Sequence, residues 1–383
     1  MCRCPLCVDP HSKQRLFRTQ DIHPTIHPRQ VKWNGNELEI QWNKDIQGYG
    51  PEHTSRWPYY QLLNPVHDTH DTTHPSMRPF RWNAAIMRKY QHWISFSDYM
   101  HSETKFTFAM HNLARMGLIF VKDIPSSREM VEMIANRMGP LRNTFYGSTW
   151  DVRTVPEAKN VAYTNQHLGF HMDLLYMNEP PGYQLLHCLE NSCEGGESLF
   201  ADTFNVAYRL LRTRPADYWE LTRRRFGYEY VHDNAVYYNT WPVFELNPLS
   251  GELQNVNYSP PFQSAIPTWN SRFGYYNRTT YDRFWKAMHH FTKNMESEHS
   301  VFQLKLNPGE CVIFANRRVV HARNKFNTTS GSRWLAGAYV DQDAMLSHFA
   351  LLKKNNLKSW IKGDPSIINQ LMPRDYQQDF EKK

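Results

Sequence analysis

The sequence predicts a mainly β protein with flanking helices, an α+β fold built around a barrel or sandwich. Three observations carry that expectation. Short runs of β-branched and aromatic residues recur between Pro, Gly and Asn turns along most of the 383 residues. Helical periodicity is confined to a few segments and does not alternate with strands as βαβ units require. Neither a Gly-x-Gly-x-x-Gly run nor a P-loop run occurs, which argues against nucleotide binding.

The chain begins abruptly at Cys2, Cys4 and Cys7, as a trimmed or late-started sequence would. Three crowded cysteines suggest metal before disulfides, and structural zinc wants a fourth ligand. His53 and one of His67, His70 and His74 are candidates for it. Val31–Trp33 and Leu38–Trp42 alternate apolar and polar residues across Asn34-Gly-Asn36, a hairpin pattern. Together these define a small N-terminal β module over residues 1–60. Residues 61–100 are rich in Pro, His, Asp and Thr with weak periodicity, and read as linker and loop. A large domain spans 101–383.

Within it, Lys105–Arg115 reads as a helix closed by Gly117. Ser127–Met138 reads as a second, with Ser126 or Ser127 as N-cap and Gly139 past its end. Strands are expected at Leu118–Val121, Val161–Tyr163, Tyr183–His187, Gly227–Val231, Phe302–Leu306, Cys311–Phe314 and Trp334–Val340. A long helix over about 281–295 places Phe284, Met288, Phe291 and Met295 on one face.

Composition bounds the function. Apolar residues at 40% and aromatics at 14% support a real core. No 18-residue apolar run exists to span a membrane, and the first residues lack the apolar region of a signal peptide. A soluble, cytoplasmic protein is expected, with the sequons at Asn277 and Asn327 incidental. The net charge of +7 comes from dispersed residues, so a small anionic substrate fits better than nucleic acid or a membrane surface.

The chemistry centres on His171 and Asp173. Two residues apart on a strand, they point the same way. A lone His-x-Asp is weak in a chain with 19 His. A distant His321 completes two histidines and one carboxylate, which cover one face of an octahedral Fe(II) and leave three positions open.

Four motifs then occur in order: Thr144–Trp150 (TFYGSTW), Leu168–Asp173 (LGFHMD), Gly195–Ser198 (GGES), and Asn316-x-Arg318-x-x-His321 followed by Arg333. In combination they resemble the γ-butyrobetaine/trimethyllysine dioxygenase-like family of Fe(II)/2-oxoglutarate-dependent oxygenases, within the clavaminate synthase/taurine dioxygenase-like superfamily. The likeness covers nearly the whole chain. It implies a double-stranded β-helix (jelly-roll) core. It also implies Fe(II) on His171, Asp173 and His321, with 2-oxoglutarate and O2 as cosubstrates. Arg333, twelve residues after His321, and Ser198 would hold the far carboxylate of 2-oxoglutarate. The zinc ligands would be Cys2, Cys4, Cys7 and His53. Tyr146, Trp150, Tyr163 and Tyr339 match aromatic positions that hold a quaternary ammonium, and Asn160 matches a contact to the substrate carboxylate. Many members are dimers, which implies a homodimer.

Departures fall at the substrate end. The carnitine-forming enzymes carry a second Asn where this chain has Ser259, in Asn257-Tyr258-Ser259-Pro260-Pro261. Arg317 replaces a neutral residue after Asn316, Ala315 replaces an acid, and Leu174 and Leu175 follow Asp173. These lean the expectation toward a natural-product tailoring paralogue that hydroxylates, desaturates or closes a ring on a carboxylate-bearing small molecule. A γ-butyrobetaine or trimethyllysine hydroxylase of carnitine synthesis is the alternative, and a non-catalytic zinc-containing binding module the remote one.

Overall fold

The structure is a computed structural model that describes residues 2, 4–59, 62, 79–153, 165–264, 278–356 and 359–360. Asn160, Tyr163, His67, His70, His74 and Asn277 lie outside the described residues. Two compact units are present, Met1–Asp71 and Thr72–Lys383.

The first unit is a three-stranded antiparallel sheet ordered β1-β2-β3, with β1 at His27–Trp33, β2 at Glu37–Asn43 and β3 at Thr54–Pro58. The hairpin closes with Trp33 opposite Leu38. Its turn uses Gly35 at φ +97°, and the Asn34 side-chain oxygen accepts from the Asn36 and Glu37 amides at 3.1 and 2.9 Å. Such an Asx turn satisfies two amides that the ladder leaves unpaired.

The second unit opens with structure where loop is expected. Helix α1 (Ala84–Tyr90), strand β4 (Trp93–Ser95) and helix α2 (Phe96–His101) fill this stretch. Caps fix these short pieces. Asn83 accepts from the Ile86 amide at 2.9 Å and Ser95 from the Asp98 amide at 3.1 Å. Burial of Trp82, Met87 and Tyr99 anchors the stretch, a tertiary cause that leaves no periodic trace.

Helix α3 (Glu103–Met116) ends at Gly117, which adopts φ +72°. Strand β5 (Leu118–Lys122) follows, then helix α4. The latter begins at Met130, not Ser127, with Glu129 at the N-cap and no side-chain cap bond. Ser127 instead accepts from the Glu129 amide, in the turn before the helix.

The remaining strands are β6 (Thr149–Arg153), β7 (Leu168–His171), β8 (Tyr183–Asn191), β9 (Ser198–Asp202), β10 (Arg225–His232), β11 (Ala235–Pro242), β12 (Phe244–Leu246), β13 (Leu253–Val256), β14 (Phe302–Leu304), β15 (Cys311–Ala315), β16 (Val319–Arg323) and β17 (Arg333–Val340). Six form one sheet, β4-β5-β15-β8-β17-β6, antiparallel apart from β4 with β5. Four form another, β14-β9-β16-β7. The chain passes back and forth between the sheets: β7, β9 and β16 belong to the smaller, β8, β15 and β17 to the larger.

Side-chain alternation makes both faces of the large sheet apolar. Leu186, Phe314 and Leu335 cluster with Phe200, Phe302 and Val319 of the small sheet. The intervening residues Leu185, Ile313 and Ala336 face a second cluster with Phe106 of α3, Ile134 of α4 and Phe349 of α8 (Gln342–Asn355). Both faces being covered, β15 reads as a continuous apolar run. Emptying one Phe position, such as Phe314, would cost about 3–5 kcal/mol. Helices α5 (Thr203–Thr213), α6 (Pro215–Arg223) and α7 (Arg278–Met295) join the hairpins β10–β11 and β12–β13 in a third cluster. Phe284, Met288, Phe291 and Met295 of α7 are all buried there. Among the described residues no helix is long and apolar enough to cross a membrane.

Candidate active site

Strands β7 and β16 are antiparallel neighbours, and their register sets His321 directly opposite His171. This pairing brings together residues far apart in the chain. Their ring centroids are 4.1 Å apart. His171 Nδ1 lies 2.9 Å from the Gly169 carbonyl oxygen, which can only accept, so the proton is on Nδ1 and Nε2 is free for a ligand.

Asp173 is not placed by strand alternation, because β7 ends at His171 and Asp173 lies in the turn beyond. Asn316 fixes it instead. The Asp173 amide donates to Asn316 Oδ1, and Asn316 Nδ2 donates back to the Asp173 carbonyl, both at 2.9 Å. Leu174 then takes φ +59°, a left-handed conformation that a leucine adopts only under tertiary constraint. Asp173 Oδ1 lies 3.3 Å from His171 Nε2 and 4.0 Å from His321 Nε2. Ligand atoms of the three residues fall within 4.8 Å of one another, the spacing of a metal-binding set.

Burial alone would raise the Asp173 pKa. The His171 and His321 rings beside it and the hydrogen bond from the Tyr339 hydroxyl reverse that, holding the carboxyl well below the usual carboxylate range. Burial, then the neighbouring His171, pushes His321 down to about 3. At neutral pH the set is therefore one carboxylate with a neutral His321, the states a divalent metal requires.

A cavity of about 80 Å³ opens beside the set, lined among others by Tyr146, Trp150, Ser198, Arg333 and Tyr339. Arg333 starts β17, is buried, and burial draws its pKa down. Its Nε has no hydrogen-bond partner, and among the described residues no carboxylate pairs with it. Gly196 makes room for it, while Gly195 makes room for the neighbouring main chain at Lys325 and Phe326. A Cβ on Gly196 (φ +72°) would lie 3.3 Å from Arg333 Cδ, and one on Gly195 would strike the Lys325 carbonyl oxygen at 2.3 Å. An unpaired buried guanidinium is costly unless an anion meets it. A ligand carboxylate near Ser198 fits that requirement, and 2-oxoglutarate brings one.

The aromatic positions divide. Tyr146 and Trp150 line the cavity. Tyr339 does too, but its ring stacks on Trp150 at 4.0 Å and its hydroxyl donates to Asp173 Oδ2 at 2.6 Å. Ser259 does not line the cavity. It is buried at the start of the 3-10 turn Pro260–Phe262, and Phe262 is the residue of this stretch that reaches the cavity wall. Arg317 is also absent from the wall. It is buried, pairs with Glu245 at 2.7 Å, bonds Asn257 and stacks over Trp241. Its added charge is thus compensated within the protein. Leu174 and Leu175 both belong to the core, and Leu174 also lines the cavity. Sequence reasoning did not single out Gln184 or Arg323, both on the cavity wall, or the amide clamp of Asn316. Arg323 two residues after His321 was the available signal, since strand alternation sends both inward.

In the first unit, the ligand atoms of Cys2, Cys4, Cys7 and His53 also lie within 4.8 Å of one another. His53 Nε2 is 3.3 Å from Cys7 Sγ and 3.8 Å from Cys2 Sγ, while His53 Nδ1 is held by Asp45 Oδ2 at 2.6 Å. The Cys7 and Val8 amides both donate to the Cys4 carbonyl at 2.9 Å, curling the loop so that the thiols converge.

Two histidines and a carboxylate that could hold a metal thus lie beside a buried guanidinium that no carboxylate pairs among the described residues. Residues 88–339 match the family described as "Taurine catabolism dioxygenase TauD, TfdA family", and the chain belongs to that family. It is an Fe(II)/2-oxoglutarate-dependent dioxygenase. It is similar to "Dioxygenase str8" of Strobilurus tenacellus, 32% identical over 92% of this chain and 83% of that one. It is also similar to trimethyllysine dioxygenase of Gallus gallus (26%, covering 92% and 81%) and to human γ-butyrobetaine dioxygenase (30%, covering 68% and 66%).

Proposed function

We propose that the protein is a tailoring oxygenase that oxidises an unactivated C–H bond of a small carboxylate-bearing molecule, by hydroxylation, desaturation or ring formation. His171, Asp173 and His321 would hold the iron. Arg333 and Ser198 would hold the far carboxylate of 2-oxoglutarate, and the alternation of strands between two sheets supports a double-stranded β-helix around them. When bound, the iron and 2-oxoglutarate supply the oxidising power, the cosubstrate ending as succinate and carbon dioxide. The protein's own part is to neutralise the cosubstrate's charge at Arg333, to keep His321 unprotonated by burial, and to exclude water with Leu174, Phe262 and Trp150. Cys2, Cys4, Cys7 and His53 would bind a structural zinc, a closed four-ligand set.

The observation that carries the oxygenase site is Arg333, buried beside the ligand triad and paired with no carboxylate among the described residues. The tailoring reading is supported by the aromatic wall. Tyr339 is committed to Asp173 and covers a face of Trp150, which leaves less open ring surface among the described residues for a trimethylammonium group. The similarity to the fungal dioxygenase, which spans nearly the whole chain, points the same way. Hydroxylation of γ-butyrobetaine or trimethyllysine is favoured in turn by the resemblance to enzymes named for those substrates.

Anaerobic addition of Fe(II) and 2-oxoglutarate should give a metal-to-ligand charge-transfer band, and its absence would remove the iron assignment. Succinate release should then be stimulated by a member of a carboxylic-acid panel and not by γ-butyrobetaine or trimethyllysine. Stimulation by either of those two selects the alternative.

A further inference from the structure

We propose that Tyr339 is a positioning residue for the metal ligand Asp173, holding its carboxylate to one metal-facing oxygen, and not primarily a wall for the substrate. The inference rests on the iron reading above. Asp173 has two carboxylate oxygens with different surroundings. Oδ1 points among the ligand atoms, 3.3 Å from His171 Nε2 and 4.0 Å from His321 Nε2. Oδ2 accepts from the Tyr339 hydroxyl at 2.6 Å, a short charge-assisted bond.

Asp173 needs such a device because of where it lies. Beyond the end of β7 it has no ladder to orient it, and Asn316 secures only its main chain, through the amide and the carbonyl. The side-chain torsions are left to other contacts. Tyr339 can fix them because its own ring has little freedom. The ring stacks on Trp150 at 4.0 Å, and Tyr339 lies on β17 directly opposite Gln184 of β8. Gly337, one inward position away on the same strand, lets the indole lie flat on the sheet, since a Cβ there would come within 2.4 Å of Trp150 Cε2.

The consequence is a choice of binding mode. A carboxylate free to rotate can close on a metal through both oxygens and take up a second position. With Oδ2 held by a phenol, Asp173 offers Oδ1 alone, and the face meant for cosubstrate and oxygen stays open.

Tyr339→Phe tests this, since it keeps the stacked ring and deletes the hydroxyl. The readout is Mn(II) affinity of the purified chain, measured without substrate by the loss of the free-ion resonance signal. The expected result is binding about 10-fold weaker than wild type at an unchanged melting temperature. A shifted Fe(II)·2-oxoglutarate band should accompany it. Trp150→Phe, which keeps the hydroxyl and an aromatic ring for Tyr339 to stack on, should leave Mn(II) affinity unchanged. An affinity within about twofold of wild type in Tyr339→Phe, or an equal loss in Trp150→Phe, overturns the proposal. Failure of wild type to bind Mn(II), or binding unaffected by His171→Ala, would instead overturn the iron reading beneath it.

Discussion

His53 and His171 are anchored alike through Nδ1, the first by the Asp45 carboxylate at 2.6 Å and the second by the Gly169 carbonyl at 2.9 Å. In each, Nε2 is left facing a cluster of donors. Beyond that the two clusters diverge. Around His53 there are three thiols, enough with the imidazole to complete a tetrahedron. Around His171 there are two further donors among the described residues, three in all, and next to them a cavity with Arg333, which no described carboxylate pairs, in its wall. On the proposed reading, the difference teaches how a structural site would be told from a catalytic one: the catalytic set would stop short of saturating its metal, and an uncompensated charge nearby would show what completes it.

The largest effect that could break this contrast is loss of a donor from the unsaturated set. His171→Ala or Asp173→Ala should lower turnover by more than the ~100-fold that outer contacts alone can reach, and should abolish the charge-transfer band. The melting temperature should fall only modestly by comparison, because neither residue belongs to an apolar cluster. Retained turnover would mean that the donors are not ligands.

Next in size is Arg333→Ala. Removing one partner of a buried charge pair costs about 2–5 kcal/mol, so half-saturation by 2-oxoglutarate should rise roughly 30-fold or more, with the prime-substrate KM changed far less. Equal changes in both constants would detach Arg333 from the cosubstrate. Cys4→Ser should show the opposite pattern. It should leave the kcat of folded enzyme alone and lower an unfolding transition by roughly 10 °C, taking about 2 kcal/mol lost at 4–8 °C each for so small a module. An unchanged transition would remove the structural role of that cluster.

The sequence offered both donor sets as candidates, the three cysteines and His171-x-Asp173 by residue type and spacing, and the choice of His53 as fourth ligand only through the family resemblance. It disclosed the long helix α7 because Phe284, Met288, Phe291 and Met295 recur at helical spacing. What it hid was everything decided by approach between distant segments. Nothing local shows that Asn316 grips the main chain of Asp173, or that Tyr339 spends its hydroxyl on that carboxylate. Arg317 reads in the sequence as a change at the substrate end, yet Glu245, distant in sequence, pairs with it. Helices α1 and α2 escaped for the same reason, being held by caps and by buried Trp82, Met87 and Tyr99 rather than by a repeating pattern.

The smallest predicted effect is also the one that separates the clusters most cleanly: in metal-free protein, their histidines should bend stability with pH in opposite senses. Burial tends to lower His53, but the Asp45 hydrogen bond and the Cys2 thiolate outweigh it and raise the pKa. His53 therefore contributes stability in full below its unfolded value of about 6.5, and that contribution is lost as pH rises through the raised folded value. His321, pushed down to about 3 by burial and by His171, behaves in reverse. Between about 6.5 and that lowered value the unfolded chain takes up a proton that the folded chain refuses, so stability falls as pH falls. Depressed Asp173 adds to the same loss below about 3.9. Urea unfolding of chelator-treated protein across this range should give a stability maximum near pH 6–7. His53→Gln should flatten only its alkaline limb and His321→Gln only its acid limb. Both variants acting on one limb would overturn these opposite assignments, and the contrast between the two donor sets would have to rest on ligand count alone.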